Sequence, residues 1–240
     1  MEKAFIDRVL GVRTFNFRGR DFESTKYKKE IQHIIGMHYF PKFDLNKTLN
    51  KLDQNRFNQL VEELRSESSM FLDMLHNIKP SGIGPGEVLL YFLLNNGYLG
   101  GGSSAGVDLI DGSTNYEVKA VDVNSKNEAL NFKVGGKTEL APIQASLAAL
   151  CKKYRLPGDS TSVTKTVIDR LKQMAPQEFQ FVEDMYVDAV YGYFKGHKVI
   201  FMYNSGKSKI SRIAAIKEVQ RKDISMERVT SNTIKPLIKL

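Results

Sequence analysis

The sequence predicts an α/β fold in which a largely helical first third precedes a core of strands and helices. Two observations lead to this prediction. Apolar residues recur at three- and four-residue steps through residues 44–77, and apolar runs of strand length recur after residue 105. The chain has 240 residues, 42% of them hydrophobic, which is enough for a substantial core. We expect three parts, which are residues 1–79, 80–205 and 206–240.

We expect the first part, residues 1–79, to be a mostly helical extension. Residues 12–18 alternate apolar and polar side chains, as a half-buried strand does. Residues 26–40 have isoleucines at helical spacing, and Pro41 would end or kink that helix. Residues 44–77 predict one or two more helices, because their leucines and phenylalanines share one face.

The core begins after a strong break at residues 80–86, which are rich in Pro and Gly. The next segment, Glu87 to Asn96, is apolar on all sides and predicts a buried helix stopped by Gly97. A Gly/Ser loop at 100–104 is expected next. The later elements, in chain order, are strands at Gly106–Ile110 and Asn115–Val121 joined by a turn at Asp111-Gly112, a possible strand at 129–134, helices at Pro142–Tyr154, Thr161–Met174 and Pro176–Phe194, a strand at Lys198–Tyr203, and an ambiguous stretch at Ser208–Val219.

Charge is distributed unevenly along the chain. The formal net charge is +8, which favours a polyanionic partner. Residues 81–120 nevertheless contain four acidic side chains and a single cation, Lys119. A site that binds a cation next to a phosphate backbone needs such a cluster of acidic residues. The alternative is a chance fluctuation in charge over forty residues.

Several classes of protein are excluded by composition. The single cysteine, Cys151, excludes an internal disulfide framework and a Cys-rich zinc module. There is no apolar run long enough for a transmembrane helix and no apolar segment of a secretory signal near the N-terminus. We therefore expect a cytoplasmic protein, of a bacterial or phage-infected cell, with no membrane partner.

The residues that indicate chemistry lie on the predicted hairpin. Side chains alternate along a strand, so Glu117 and Lys119 share one face, and the Asp-Gly turn brings Asp108 close to Glu117 across the hairpin. Two neighbouring carboxylates repel each other unless a cation lies between them, and oxygen ligands suit Mg²⁺ or Mn²⁺. Lys119 would then orient a water or stabilise charge that develops on a phosphate.

A simpler interpretation of the same residues is a surface salt bridge between Glu117 and Lys119, with Asp108 solvated. The neighbouring side chains argue against it, because both strands are apolar enough to be central in a sheet, where unpaired charge is costly. These neighbours are Val107, Leu109, Ile110, Tyr116, Val118 and Val121.

Asp108 followed by Glu117-Val118-Lys119 at the end of a hairpin resembles the core of the PD-(D/E)XK, or restriction-endonuclease-like, nucleases. The resemblance covers roughly residues 80–205 and includes Glu87, which matches the helix acid of that family. It implies a central mixed sheet flanked by helices and a metal-dependent deoxyribonuclease. Glu87, Asp108, Glu117 and the Val118 carbonyl would bind one or two Mg²⁺ ions, and Lys119 would act in catalysis.

Two positions depart from the family pattern. Val107, instead of proline, precedes Asp108, and Ala148 stands where the exonuclease branch has a tyrosine four residues after the glutamine that Gln144 resembles. The residues expected to contact DNA are Lys133, Lys137, Gln144, Lys207, Lys209 and Arg212. For the basic residues near the C-terminus, a plain solvated surface is the alternative to a DNA clamp.

The leading functional hypothesis is therefore a DNA endonuclease with a Glu/Asp/Glu-x-Lys site that acts preferably on double-stranded DNA, with a homodimer as a candidate oligomeric state. A non-catalytic nucleic-acid-binding or phage virion or assembly protein on a nuclease-like scaffold is the second hypothesis. An enzyme that acts on RNA or branched DNA is a weaker third.

Overall fold

The computed structural model has a mixed α/β fold. Within the described residues, no helix is long and apolar enough to cross a membrane. Eight strands form one sheet, and two more form a separate hairpin. The structure describes residues 14–17, 20–23, 47–67, 72, 83–102, 107–134, 137–158, 162–204, 212–229 and 234–240.

The elements are numbered in chain order. The helices are α1 (Gln54–Glu67), α2 (Pro85–Leu93), α3 (Lys137–Lys153), α4 (Lys165–Met174) and α5 (Pro176–Phe194). The strands are β1 (Thr14–Phe17), β2 (Arg20–Glu23), β3 (Gly97–Gly102), β4 (Val107–Asp111), β5 (Thr114–Val123), β6 (Glu128–Leu130), β7 (Lys198–Tyr203), β8 (Ile213–Lys217), β9 (Ile224–Val229) and β10 (Ile234–Lys239).

The sheet was expected to be mixed, whereas the pairs β3–β4, β4–β5, β5–β6, β6–β10 and β10–β9 are all antiparallel. Strand β7 also pairs with β5 and β8, so β5 has neighbours on both sides. The α/β class is thus confirmed in its general form. The chain divides into two compact units, residues 1–120 with 197–216 and residues 121–196 with 217–240.

The first unit has a core built on α1 and α2. Helix α1 begins after Asp53, whose side chain accepts a hydrogen bond from the Arg56 N–H, as a capping residue does. Residues Val88 to Leu93 of α2 are all buried, which confirms the prediction of a buried helix. This core also includes Leu109, Tyr116 and Val118 from the hairpin.

The hairpin of β4 and β5 has a two-residue loop. Ile110 lies opposite Asn115 and Asp111 opposite Thr114, so the loop consists of Gly112 and Ser113. Gly112 has a φ of +60°, a conformation that glycine adopts at little cost. The hairpin is confirmed, and its turn lies one residue later than the predicted Asp111-Gly112.

The second unit packs three helices around its own apolar core. Helix α5 supplies Phe179, Val182, Tyr186, Val190 and Phe194, all buried. The strands β6, β10 and β9 are consecutive in the sheet. Cys151, on α3, is buried with a free thiol, as expected for a core residue.

Three expectations about secondary structure were wrong. Gly97 starts strand β3 instead of ending a helix, and part of the predicted Gly/Ser loop is strand, since pairing with β4 outweighs the low strand propensity of glycine. Helix α3 begins five residues before Pro142, because Leu140 already packs in the core. The predicted helix at 26–40 lies outside the described residues.

Candidate active site

Asp108 and Glu117 meet where the ladder of β4 and β5 ends. The ladder runs from Asp111–Thr114 to Leu109–Tyr116, and the next pair in this register is Asp108 and Glu117. There the Asp108 carboxylate accepts a hydrogen bond of 2.8 Å from the Val118 N–H. The Glu117 carboxyl group lies close enough for its charge to raise the pKa of Asp108. The two predicted acids are therefore neighbours.

Glu117 and Lys119 form a close ion pair. Lys119 Nζ donates to Glu117 Oε1 over 2.5 Å. The side chains of Lys119 and Glu117 are only 17% and 6% exposed. Because a surface salt bridge leaves both partners in water, this burial disfavours the simpler interpretation of the pair.

Glu87 joins the cluster from helix α2. It lies in the first turn of this helix, where its Oε1 accepts a hydrogen bond of 3.0 Å from the Gly84 N–H. The carboxylate therefore also has a structural role, since it satisfies a backbone donor at the helix start. Its charge interacts with those of Asp108, Glu117 and Lys119. All four predicted site residues are thus within electrostatic range of one another.

The electrostatics of the cluster disfavour full ionisation. Burial, and next the negative charge of Asp108, raise the pKa of Glu87 to about 8. Burial and the charge of Glu117 likewise raise the pKa of Asp108, although the Val118 N–H opposes the change. Burial and the repulsion between neighbouring carboxylates together make Glu87 and Asp108 bind protons more tightly than free side chains do. A divalent cation would relieve the same repulsion.

The donor set fits a hard cation in its chemistry. Carboxylate oxygens are the ligands that Mg²⁺ and Mn²⁺ prefer. In the described part of the chain, however, no group of three or more His, Cys, Asp or Glu side chains is arranged to hold a metal ion. Asp108 and Glu117 lie opposite each other at the end of the β4–β5 ladder, with Glu87 in electrostatic range of both.

The expected DNA-contacting residues that the structure describes are divided between the two units. Arg212 is exposed in the first unit and lies 3.6 Å from Glu62 on α1, an exposed pair that leaves it accessible. Lys133 is exposed and Gln144 half-buried, both in the second unit. Lys137 is the first residue of α3. Lys207 and Lys209 lie outside the described residues. These contacts remain predictions.

Two backbone groups of the site were missed by sequence reasoning. The Gly84 N–H positions the Glu87 carboxylate, and the Val118 N–H positions that of Asp108. The first has a sequence signal, an acid three residues after a helix cap position. The Val118 N–H also has a sequence signal, which is the length of the hairpin loop. A two-residue loop places Asp108 opposite Glu117.

Comparisons with known proteins leave the family open. No protein-family model matches the chain, and neither a curated protein nor a solved structure matches it. The interpretation of the site consequently depends on its own geometry and on the resemblance in its residues.

Proposed function

We propose that this protein is a metal-dependent deoxyribonuclease with a restriction-endonuclease-like core, acting in the cytoplasm. The observation that supports this proposal is the placement of Asp108 opposite Glu117 at the end of the β4–β5 ladder, with Lys119 bonded to Glu117. Glu87 adds a third carboxyl group, whose pKa is raised by burial and by the charge of Asp108. Buried like charges are costly to maintain, and such clusters are concentrated at functional sites.

Each side chain has a distinct role in this proposal. Asp108 and Glu117 hold Mg²⁺ or Mn²⁺, with the Val118 carbonyl and Glu87 as further candidates. The cation, when bound, makes water more acidic and neutralises charge on the phosphate. Lys119, already near Glu117, orients the attacking water or stabilises charge on a phosphate oxygen.

DNA is the proposed substrate, preferably double-stranded, and cleavage is internal. The net charge of +8 favours a polyanion. Arg212, exposed in the same unit as the acidic cluster, is a candidate phosphate contact. A homodimer would supply one active site for each strand of a duplex.

A plasmid assay tests the proposal. Wild-type protein should nick or linearise supercoiled DNA with Mg²⁺ or Mn²⁺ and not with EDTA. Asp108→Ala and Lys119→Ala should each reduce cleavage by about a thousandfold or more, since such groups contribute several kcal/mol to the barrier. Binding of DNA in a gel shift should persist in both variants.

A matched control is Glu178→Ala, which removes an exposed glutamate from an ion pair in the second unit and should cleave like wild type. Full activity of both Asp108→Ala and Lys119→Ala would refute the nuclease assignment.

A second candidate function is non-catalytic binding of nucleic acid on the same scaffold. One observation favours it, namely that Glu117 is engaged by Lys119 and no three-acid metal group is present among the described residues. In that case DNA should shift in a gel without any metal-dependent product. Panels of RNA and branched DNA in the same assay test the remaining substrates.

A further inference from the structure

A row of three side chains crosses the sheet beside the acidic cluster. Tyr98 on β3 lies opposite Ile110 on β4, and Ile110 lies opposite Asn115 on β5. Directly paired residues of antiparallel strands point to the same face. Tyr98 is 38% exposed and Asn115 is also exposed, so this row is open to solvent at both ends.

The row lies next to the proposed catalytic groups. Asn115 precedes Glu117 by two residues and Lys119 by four, so the three share one face of β5. The step between same-face neighbours on a strand is about 7 Å. Leu99 and Leu109, which flank Tyr98 and Ile110, pack on the opposite face against the core. Tyr98 therefore stands on the catalytic side of the sheet.

Strand β3 has no side chains where it approaches Asp108. It ends in three consecutive glycines, Gly100 to Gly102. A Cβ on Gly100 would lie 1.8 Å from the carbonyl oxygen of Val107, the residue before Asp108, so the backbones are too close for any other residue. Among the described strands, β3 is therefore terminal in the sheet, with glycines beside the carboxylates and an exposed aromatic ring at its other end.

We propose that Tyr98 stacks on an unpaired nucleobase adjacent to the scissile phosphate, while the sugar-phosphate backbone passes over the glycines of β3. The inference rests on the proposed nuclease function and specifies its substrate further. A base can stack on an aromatic side chain only when it has left the helical stack, and such stacking tolerates any base. The unpaired base comes either from a single strand or from a duplex opened at the site.

Binding without cleavage tests this inference. Short oligonucleotides that contain 2-aminopurine, as a single strand, a duplex with a central mismatch and a perfect duplex, are titrated with Ca²⁺ in place of Mg²⁺. Tyr98→Leu should lower the affinity for the single strand by about tenfold or more, because removal of the ring removes the free energy of stacking. The same substitution should abolish the quenching of 2-aminopurine fluorescence. Tyr98→Phe should retain both. A loss with the mismatched duplex as well would identify opened duplex as a second source of the base.

Phe181→Leu is the matched control, because Phe181 is 66% exposed on α5 in the second unit. Wild-type affinity and quenching in Tyr98→Leu, or an equal loss in Phe181→Leu, would overturn the inference. So would an equal loss with the perfect duplex, which would place Tyr98 against the backbone. These outcomes, with cleavage by wild type intact, leave the nuclease proposal standing, whereas failure of wild type to cleave any DNA refutes that proposal and this inference together.

Discussion

Two glutamate–lysine pairs of this protein have similar geometry and opposite surroundings. Glu117 and Lys119 are 2.5 Å apart, with side chains 6% and 17% exposed. Glu178 and Lys153 are 2.8 Å apart, with side chains 43% and 59% exposed. In the exposed pair, the hydrogen bond from Lys153 lowers the pKa of Glu178. Water hydrates both charges of that pair, and the Tyr154 hydroxyl also donates a hydrogen bond to Glu178.

The buried pair differs because it has two additional acids beside it. Near Lys119, the pKa of Glu87 and that of Asp108 are both raised, chiefly by burial. The comparison teaches that the distance within an ion pair does not distinguish a structural pair from a candidate site. An excess of buried negative charge does distinguish a candidate site from a structural pair, because that charge must be balanced by protons or by a cation.

The largest expected difference between the two pairs is in stability. Lys119→Met removes the ammonium that pairs with Glu117 in the acidic cluster, and loss of one partner of a buried pair costs about 3–5 kcal/mol. Because a bound cation would replace the lost charge, Mg²⁺ should restore part of this stability. Urea unfolding in EDTA and in Mg²⁺ measures both effects.

The control for this experiment is Lys153→Met, whose effect should be small in either solution, because exposed pairs contribute little. Equal destabilisation by the two substitutions would show that the cluster carries no excess of buried charge.

The second expected difference concerns pH. Folded Glu87 keeps its proton up to a pKa of about 8, whereas its ordinary pKa is 4.5, so the folded protein binds more protons between these values. In EDTA, the contribution of Glu87 to the free energy of unfolding should therefore fall as pH rises from 5 to 8, by at most about 1.4 kcal/mol per pH unit. Glu87→Gln should remove this slope, as measured by urea unfolding at several pH values.

Glu178→Gln provides the opposite case. The pKa of Glu178 is lowered in the folded protein, so its contribution is present above the ordinary pKa and disappears as the solution becomes acidic. If Glu87→Gln leaves the slope between pH 5 and 8 unchanged, Glu87 is ionised in the folded state and the cluster is more open than its burial indicates.

Much of the candidate site could be predicted from the sequence because it depends on local rules. The apolar run from Lys198 to Tyr203, ended by turn residues, gave the bounds of β7 correctly. A tight turn between two apolar runs predicted the hairpin, and strand alternation then placed Glu117 and Lys119 on one face. The nearness of Asp108 to Glu117 follows from these two rules.

The remaining features depend on contacts between distant residues. Strand β3 consists mostly of glycine, which has a low strand propensity, and its pairing with β4 makes it a strand. The raised pKa of Glu87 depends on how α2 buries it near Asp108, more than twenty positions along the chain. Strands β9 and β10 lie in the C-terminal segment, for which the sequence predicted no secondary structure and indicated only a positive charge.

The smallest expected effect separates two aspartates of strand β4. Asp111, three residues after Asp108, accepts a hydrogen bond of 2.8 Å from the Leu52 N–H, so its role is to hold a backbone donor. Asp111→Ala leaves that donor unpaired and should cost about 1–3 kcal/mol in urea unfolding. Asp111→Asn keeps an acceptor oxygen and should cost less.

Cleavage per folded molecule should be unchanged in both Asp111 variants, because the partner of Asp111 is a backbone amide and not the acidic cluster. The same measurement on Asp108→Asn should show the reverse, a nearly intact fold and lost cleavage. If Asp111→Asn abolished cleavage without unfolding, the site would extend along β4 to the turn, and the distinction between a structural and a functional acid on this strand would fail.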